Sequence, residues 1–197
     1  MTLVLGSGSS ARRRLLENAG IAFEVERANV DERAIEEPLR LDGATPEDIA
    51  TALAGAKALD IAARRPGDLI IGADQVLAMA NGGIVHKPDD AEAAAGQLRD
   101  LAGKDHWLHS AVVLARGTDV MWHHVASARL RMRALDGDEI ARYLADVPLA
   151  TLTSSGVYQI EGPGIRLFDD IEGDFFGILG LPLLPLLGAL RDAGLPA

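Results

Sequence analysis

Short apolar runs, amphipathic stretches and glycine-rich breaks follow one another along the chain without a repeating unit or a low-complexity tract. Thr2–Leu5 predicts a short buried strand. A Gly/Ser loop follows it, then a helix from about Ser9 to Ala19 that Gly20 stops. Ala22–Arg27 alternates and predicts a second strand. Residues 31–43 are charged and carry Pro38, which predicts a surface loop. Thr45-Pro46-Glu47-Asp48 has what a helix start needs. A hydroxyl caps a free N–H, a proline sits where its missing N–H costs nothing, and acids face the positive end of the dipole. That helix is expected to reach about Arg65, before Pro66-Gly67. Asp68–Met79 predicts a strand, and Asn81-Gly82-Gly83 a turn. A helix begins at Asp89 or Asp90 and ends at Gly103. His106–Ala115 and Val120–Met132 predict long strands joined at Gly117-Thr118. A short helix is expected over Asp136–Leu144, a strand-rich region over Gly156–Asp169, and a closing helix over Pro182–Arg191. Strands and helices intermix without strict βαβ alternation, which predicts an α/β fold with a mixed sheet.

Composition narrows the class. The chain has 197 residues, 48% of them apolar, enough for one sizeable core and against disorder. The net charge of −10 argues against a nucleic-acid polymer as partner, since such partners select basic faces. Without cysteine there is no disulfide, thiolate metal site or thiol nucleophile. The apolar start Met1–Leu5 is too short for a secretory signal, and Phe175–Leu190 is short for a membrane span and broken by Gly and Pro. The expected location is the cytoplasm, away from a membrane.

Leu69-Ile70-Ile71-Gly72-Ala73-Asp74-Gln75-Val76-Leu77 carries the strongest chemical signal. A carboxylate enclosed by β-forming residues is costly unless a cation or a reacting group uses it. The small residues before it admit a close approach to the backbone. His86-Lys87-Pro88 places a cation in a turn soon after, and an acid with cations nearby suits phosphate chemistry. Gly6-Ser7-Gly8-Ser9-Ser10-Ala11 fits the dinucleotide pattern G-x-G-x-x-G/A, with Asp31 where a ribose-binding acid is expected. Against that stand Arg12, Arg13 and Arg14 in the first helical turn. They sit at the wrong end of the dipole unless an anion is bound there. With an anion, backbone N–H groups, the Ser7 and Ser9 hydroxyls and guanidinium forks would converge on phosphate. Asp31-Glu32 suits a solvated turn or, facing Asp74, a shared divalent cation. Lys57, among small residues in an Ala-rich helix, is either a surface lysine or a cation reaching over the sheet. The five histidines lack metal spacing and are assigned to structure. Trp107 and Trp122 are assigned to packing.

In order, these pieces resemble the Maf family of nucleotide pyrophosphatases, named for septum-formation inhibition. The resemblance spans nearly the whole chain. The family's S-x-S-P-x-R-R is present as Ser7-Gly8-Ser9-Ser10-Ala11-Arg12-Arg13, with Ser10 for proline. Its D-E pair is Asp31-Glu32, its A-x-x-K is Ala54-Gly55-Ala56-Lys57, and its G-[AS]-D-[TQ]-V is Gly72-Ala73-Asp74-Gln75-Val76. G-K-P becomes His86-Lys87-Pro88. H-x-V-x-T-G becomes His106 to Ala111, with Ser110 and Ala111 substituted. I-E-G-x-x-x-x-x-x-G-L-P runs from Ile171 to Pro182.

The resemblance implies a single domain over 1–197: a mixed twisted sheet with flanking helices in two lobes around a cleft, similar to inosine triphosphate pyrophosphatases. It implies hydrolysis of a nucleoside triphosphate to a monophosphate and diphosphate, and a possible homodimer. Ser7, Ser9, Arg12, Arg13, Lys57 and Lys87 would bind phosphates. Asp74 would activate water, directly or through Mg²⁺ or Mn²⁺ held with Glu32. Ala11, Gln75 and Glu161 occupy positions that tune base choice. Members similar to 7-methyl-GTP enzymes carry Gln and Glu at the last two, as here; members similar to pyrimidine enzymes carry Thr and Gln. A carboxylate accepts the two parallel donors of a guanine edge and repels the carbonyls of uracil or thymine. Members of the 7-methyl-GTP pattern also tend to carry Trp where this chain has Ala11. The alternatives are a dTTP/UTP pyrophosphatase, a non-catalytic nucleotide-binding regulator of cell division, and a dinucleotide oxidoreductase.

Overall fold

The computed structural model describes residues 1–148, 151 and 154–196. Its strands are β1 (Leu3–Gly6), β2 (Glu24–Val25), β3 (Leu69–Met79), β4 (Ile84–Val85), β5 (Asp105–Arg116), β6 (Asp119–Met132) and β7 (Phe168–Glu172). Its helices are α1 (Ser10–Asn18), α2 (Glu32–Leu41), α3 (Pro46–Arg64), α4 (Ala91–Leu101), α5 (Gly137–Asp146), α6 (Phe175–Ile178) and α7 (Leu183–Asp192). Among the described residues the strands form one seven-stranded mixed sheet in the order β2-β1-β3-β5-β6-β7, with β4 on β3. β1 runs parallel to β2 and β3; the β3–β4 and β6–β7 pairs are antiparallel.

The chain divides into two compact units. The first comprises Met1–Gln75, His109–Ser127 and Asp174–Ala197; the second comprises Val76–Leu108 and Ala128–Gly173. In the first, side-chain alternation along β1 and β3 separates two faces. Leu3, Leu5, Leu69, Ile71 and Ala73 join Leu15 and Leu16 of α1 and Leu183, Leu186 and Leu190 of α7 in one core. The other face of β1 and β3 lies under α3. There Gly6 and Gly72 are register partners. A Cβ on Gly72 would fall 2.1 Å from the Ala54 carbonyl oxygen, and one on Gly6 would fall 2.9 Å from Ile61 Cδ1. The close approach expected at Gly72 is therefore made by the α3 backbone.

In the second unit, His106 is fully buried, with Nε2 2.8 Å from the Tyr158 hydroxyl; Phe168 meets Tyr158 edge-on. Burial pushes the His106 pKa down to about 4 and the Tyr158 phenol up. Arg129 ties β6 to β7 through Asp170 and Glu172, and also reaches Asp105.

Three expectations change. Most of the 31–43 stretch is a helix, α2 (Glu32–Leu41), not a loop: Asp31 caps it by accepting the Ala34 N–H, and Pro38 is carried inside. The second strand shrinks to Glu24–Val25. The 156–169 region holds short 3₁₀ turns at Ser155–Val157 and Pro163–Leu167, and the strand begins only at Phe168. Glycine and proline in that stretch support tight turns better than a ladder of paired N–H groups. Among the described residues no helix is long and apolar enough to cross a membrane.

Candidate active site

Asp74 sits inside the eleven-residue strand β3. It projects toward α3, where the ammonium of Lys57 meets it. The same ammonium lies 2.7 Å from Glu32 Oε1. The Lys57 and Asp74 side chains are each 12% exposed, and Glu32 is 53% exposed. Local sequence explains each placement. The Thr45–Asp48 capping box fixes the start of α3. Gly72 and the small Ala54 and Ala58 bring its lysine turn onto β3. The Asp31 cap starts α2 at Glu32, which turns this acid toward the lysine. The lysine thus reaches over the sheet.

Arg12 completes the charge cluster from α1. Its Nε donates to the Gly180 carbonyl (2.7 Å), and its Nη1 donates to Ser7 Oγ (3.0 Å) and the Ala73 carbonyl (2.9 Å). Burial lowers its pKa, and Asp74 and Glu32 oppose that shift. Ser7 Oγ also accepts the Ser9 N–H, while Ser9 caps α1 by accepting the Arg12 N–H. The guanidinium fork of Arg12 is therefore turned inward to protein acceptors. Arg13 is exposed and pairs with Glu17 (3.3 Å) one turn along. The arginines of the first turn do not converge on one point, because successive helical residues point about 100° apart. Ala11 is half-buried in α1.

Gln75 faces away from Asp74, as alternation along a strand requires. Its amide nitrogen donates to Ser110 Oγ (2.8 Å) and to the Gly177 and Ile178 carbonyls (3.2 and 3.0 Å). The Ser110 hydroxyl donates to the Gly177 carbonyl (2.7 Å). Lys87 and Glu161 are exposed residues of the second unit. The first unit thus gathers Ser7, Ser9, Arg12, Glu32, Lys57 and Asp74.

Two arrangements escaped the sequence reading. One is the Ser110–Gly177 link to Gln75. The other is buried His109, whose Nδ1 lies 3.0 Å from Glu47 Oε1 and 2.8 Å from Ser127 Oγ. A carboxylate so close requires the proton on Nδ1. Burial lowers the His109 pKa against the raising effect of Glu47. The signal for Ser110 was its place in the H-x-V-x-T-G segment; nothing in the sequence paired His109 with Glu47.

The donor set bears on a metal. Two carboxylates meet at one positive charge, and every candidate ligand is oxygen. Among the described residues no group of three or more His, Asp or Glu converges. One or two carboxylates, with water and substrate phosphate completing the shell, is how Mg²⁺ is usually held, so Asp74 and Glu32 fit a hard divalent cation. The dinucleotide alternative fares worse: the carboxylate it would use for ribose, Asp31, caps α2.

A family model described as "Maf-like protein" matches residues 2–193. The chain is 53% identical over 189 residues to the 7-methyl-GTP pyrophosphatase of Brucella abortus, covering 96% of this chain and 94% of that protein. It is 52% identical over 192 residues to the 7-methyl-GTP pyrophosphatase of Rhizobium etli, covering 98% and 96%. It is 49% identical over 192 residues to the nucleoside triphosphate pyrophosphatase of Granulibacter bethesdensis, covering 98% and 97%. A match over almost every residue, with the acid, lysine and arginine positions assembled as described, makes this chain a member of the Maf-like protein family.

Proposed function

We propose that the protein hydrolyses a nucleoside triphosphate between its α and β phosphates, releasing a nucleoside monophosphate and diphosphate. The observation that supports this best is the Lys57 ammonium held between Glu32 and Asp74, in a chain about half identical to pyrophosphatases along its whole length. The Asp74 carboxylate is an oxygen acceptor to which an attacking water can pass its proton.

Water attacks the α phosphorus, its proton passes to the Asp74 carboxylate, and the bond to the bridging oxygen breaks as diphosphate leaves. Lys57 neutralises charge developing on phosphate oxygens, with Arg13 and the Ser7–Ser9 loop as further phosphate contacts of the first unit. Lys87 is the phosphate cation that the second unit supplies. Arg12 acts as a brace: it joins β3, the Ser7 loop and Gly180. Asp74 and Glu32 would hold a divalent cation, Mg²⁺ or Mn²⁺, which would supply charge neutralisation and Lewis acidity.

The favoured base is guanine-type, such as 7-methyl-GTP. Two of the relatives described above carry that substrate in their names. Gln75 and Glu161 tune base choice, and Glu161 supplies the carboxylate that would accept the two parallel donors of a guanine edge; the Gln75 amide nitrogen is engaged within its own unit. The proposal places the enzyme in the cytoplasm, with the nucleotide pool.

Diphosphate release from 7-methyl-GTP, GTP, UTP and dTTP, with and without Mg²⁺, tests the reading. Activity is expected to vanish in EDTA and return with Mg²⁺ or Mn²⁺. kcat/KM should favour the guanine nucleotides by roughly 10- to 100-fold, and Glu161→Gln should move the balance toward pyrimidines. No diphosphate from any nucleotide would leave a binding protein. A best substrate of UTP or dTTP, with a ratio that Glu161→Gln does not alter, would remove the guanine assignment.

A further inference from the structure

Gln97, on α4, uses both ends of its side-chain amide. Nε2 donates to the His86 carbonyl (2.7 Å), and Oε1 accepts the Gly156 N–H (2.8 Å). A carbonyl only accepts and a backbone N–H only donates, so these partners fix which end of the amide is which. They belong to two separate segments of the second unit. His86 immediately precedes Lys87. Gly156 begins the segment that leads through Tyr158 to Glu161.

The second segment is strained where Gln97 holds it. Gly156 has φ +81°, and a Cβ there would fall 2.3 Å from the Tyr158 ring and 2.9 Å from Leu77 Cδ1. Val157 follows at φ 59°, a conformation that β-branched residues rarely adopt. Its N–H donates to the Ser154 carbonyl, and its own carbonyl accepts the Tyr143 hydroxyl. The bend sends Tyr158 inward onto His106 and Phe168, and leaves Glu161 exposed. The Gly156 N–H bond to Gln97 is the tie between this bend and the Lys87 segment.

We propose that Gln97 is a positioning residue that holds the Lys87 and Glu161 segments in one fixed spacing, so that phosphate affinity and base selectivity depend on the same amide. The inference rests on the reading of Lys87 as a phosphate ligand and Glu161 as the base reader. The chemistry of the residue is specific. Met fills the same space and makes neither bond. Glu keeps an acceptor for Gly156 and sets a carboxylate oxygen against the His86 carbonyl.

The test compares Gln97→Met and Gln97→Glu in the full chain, by kinetics with 7-methyl-GTP and UTP and by amide hydrogen exchange. Gln97→Met is expected to raise KM for both triphosphates about tenfold and to cut the 7-methyl-GTP/UTP ratio of kcat/KM several-fold, with kcat little changed because Asp74 is untouched. Exchange should quicken in both 84–88 and 154–161. Gln97→Glu should raise KM, keep the ratio, and quicken only 84–88. It also carries the test should the Met variant fail to fold. Lys87→Ala and Glu161→Gln separate the two ways of failing. If both are silent, the substrate reading falls and takes this inference with it. If both act while Gln97→Met leaves KM, ratio and exchange at wild-type values, or alters kcat alone, this inference is overturned by itself.

Discussion

Gly72→Ala is the substitution whose consequence the geometry dictates most directly. The new Cβ would lie 2.1 Å from the Ala54 carbonyl oxygen, 2.7 Å from Ala58 Cβ and 2.8 Å from Ala58 N. None of these belongs to a flexible side chain that could swing away; α3 itself must retreat, by about 1 Å. Overpacking costs typically about 1–3 kcal/mol, and a contact with backbone belongs at the upper end. For a chain of this length that lowers Tm by roughly 5–10 °C. Ala54 and Ala58 flank Lys57, and Gly72 and Asp74 share a face of β3, so the same retreat draws the ammonium off the carboxylate. A misplacement near 1 Å at a reacting centre can cost about 10²-fold in rate. The assay is thermal unfolding together with diphosphate release measured well below Tm, so that lost activity is not lost fold. Gly55→Ala is the control. It lies in the same helix with nothing within 4 Å of its Cβ, and should stabilise by about 0.5–1 kcal/mol. A Gly72→Ala protein with wild-type Tm and kcat/KM, or equal losses for the two substitutions, would refute the reasoning.

Asp74→Asn should fold and lower kcat by roughly 10²–10⁴, the range for a lost general base; near-wild-type turnover would remove Asp74 from the mechanism. Arg12→Met should cost about 2–4 kcal/mol of stability in denaturant unfolding, since it leaves buried Gly180 and Ala73 carbonyls without their donor. Arg13→Ala, which breaks only an exposed pair one turn apart, should cost a few tenths of a kcal/mol and instead weaken triphosphate binding more than nucleoside binding. His106 gives the stability an acid limb: its pKa falls from 6.5 to about 4 on folding, so the unfolded chain takes up the proton first as pH drops. Stability from this group is complete above pH 6.5, is lost between 6.5 and 4, and falls no further below; the loss is about 3 kcal/mol at most. His106→Gln should flatten that limb, and an unchanged slope would assign it to other groups.

The elements most legible in the sequence were those fixed by local chemistry. Thr45-Pro46-Glu47-Asp48 announced α3 because cap, proline and acids act within one turn. Helix α2 was hidden because Pro38 and dense charge point locally to a loop. The Asp31 cap and packing along α3 override them, with Ile35 and Leu39, one turn apart, half-buried. The site shows the same division. Asp74, Lys57 and Glu32 were legible as residue types, but their meeting depends on Gly72 being bare, and only the structure shows what approaches it. Which way each polar side chain turns was open to periodicity. Arg12 precedes the buried Leu15 and Leu16 by three and four positions, so it lies on the inward stripe of α1, whereas Arg13 lies off it. Gln75 continues the core-facing series Leu69, Ile71, Ala73 by steps of two, which puts it across the strand from Asp74. Motif matching treats such neighbours as one set of ligands. Helix and strand geometry divides them into a group that can meet substrate and a group that holds the first in place, and the cost of substitution should divide the same way.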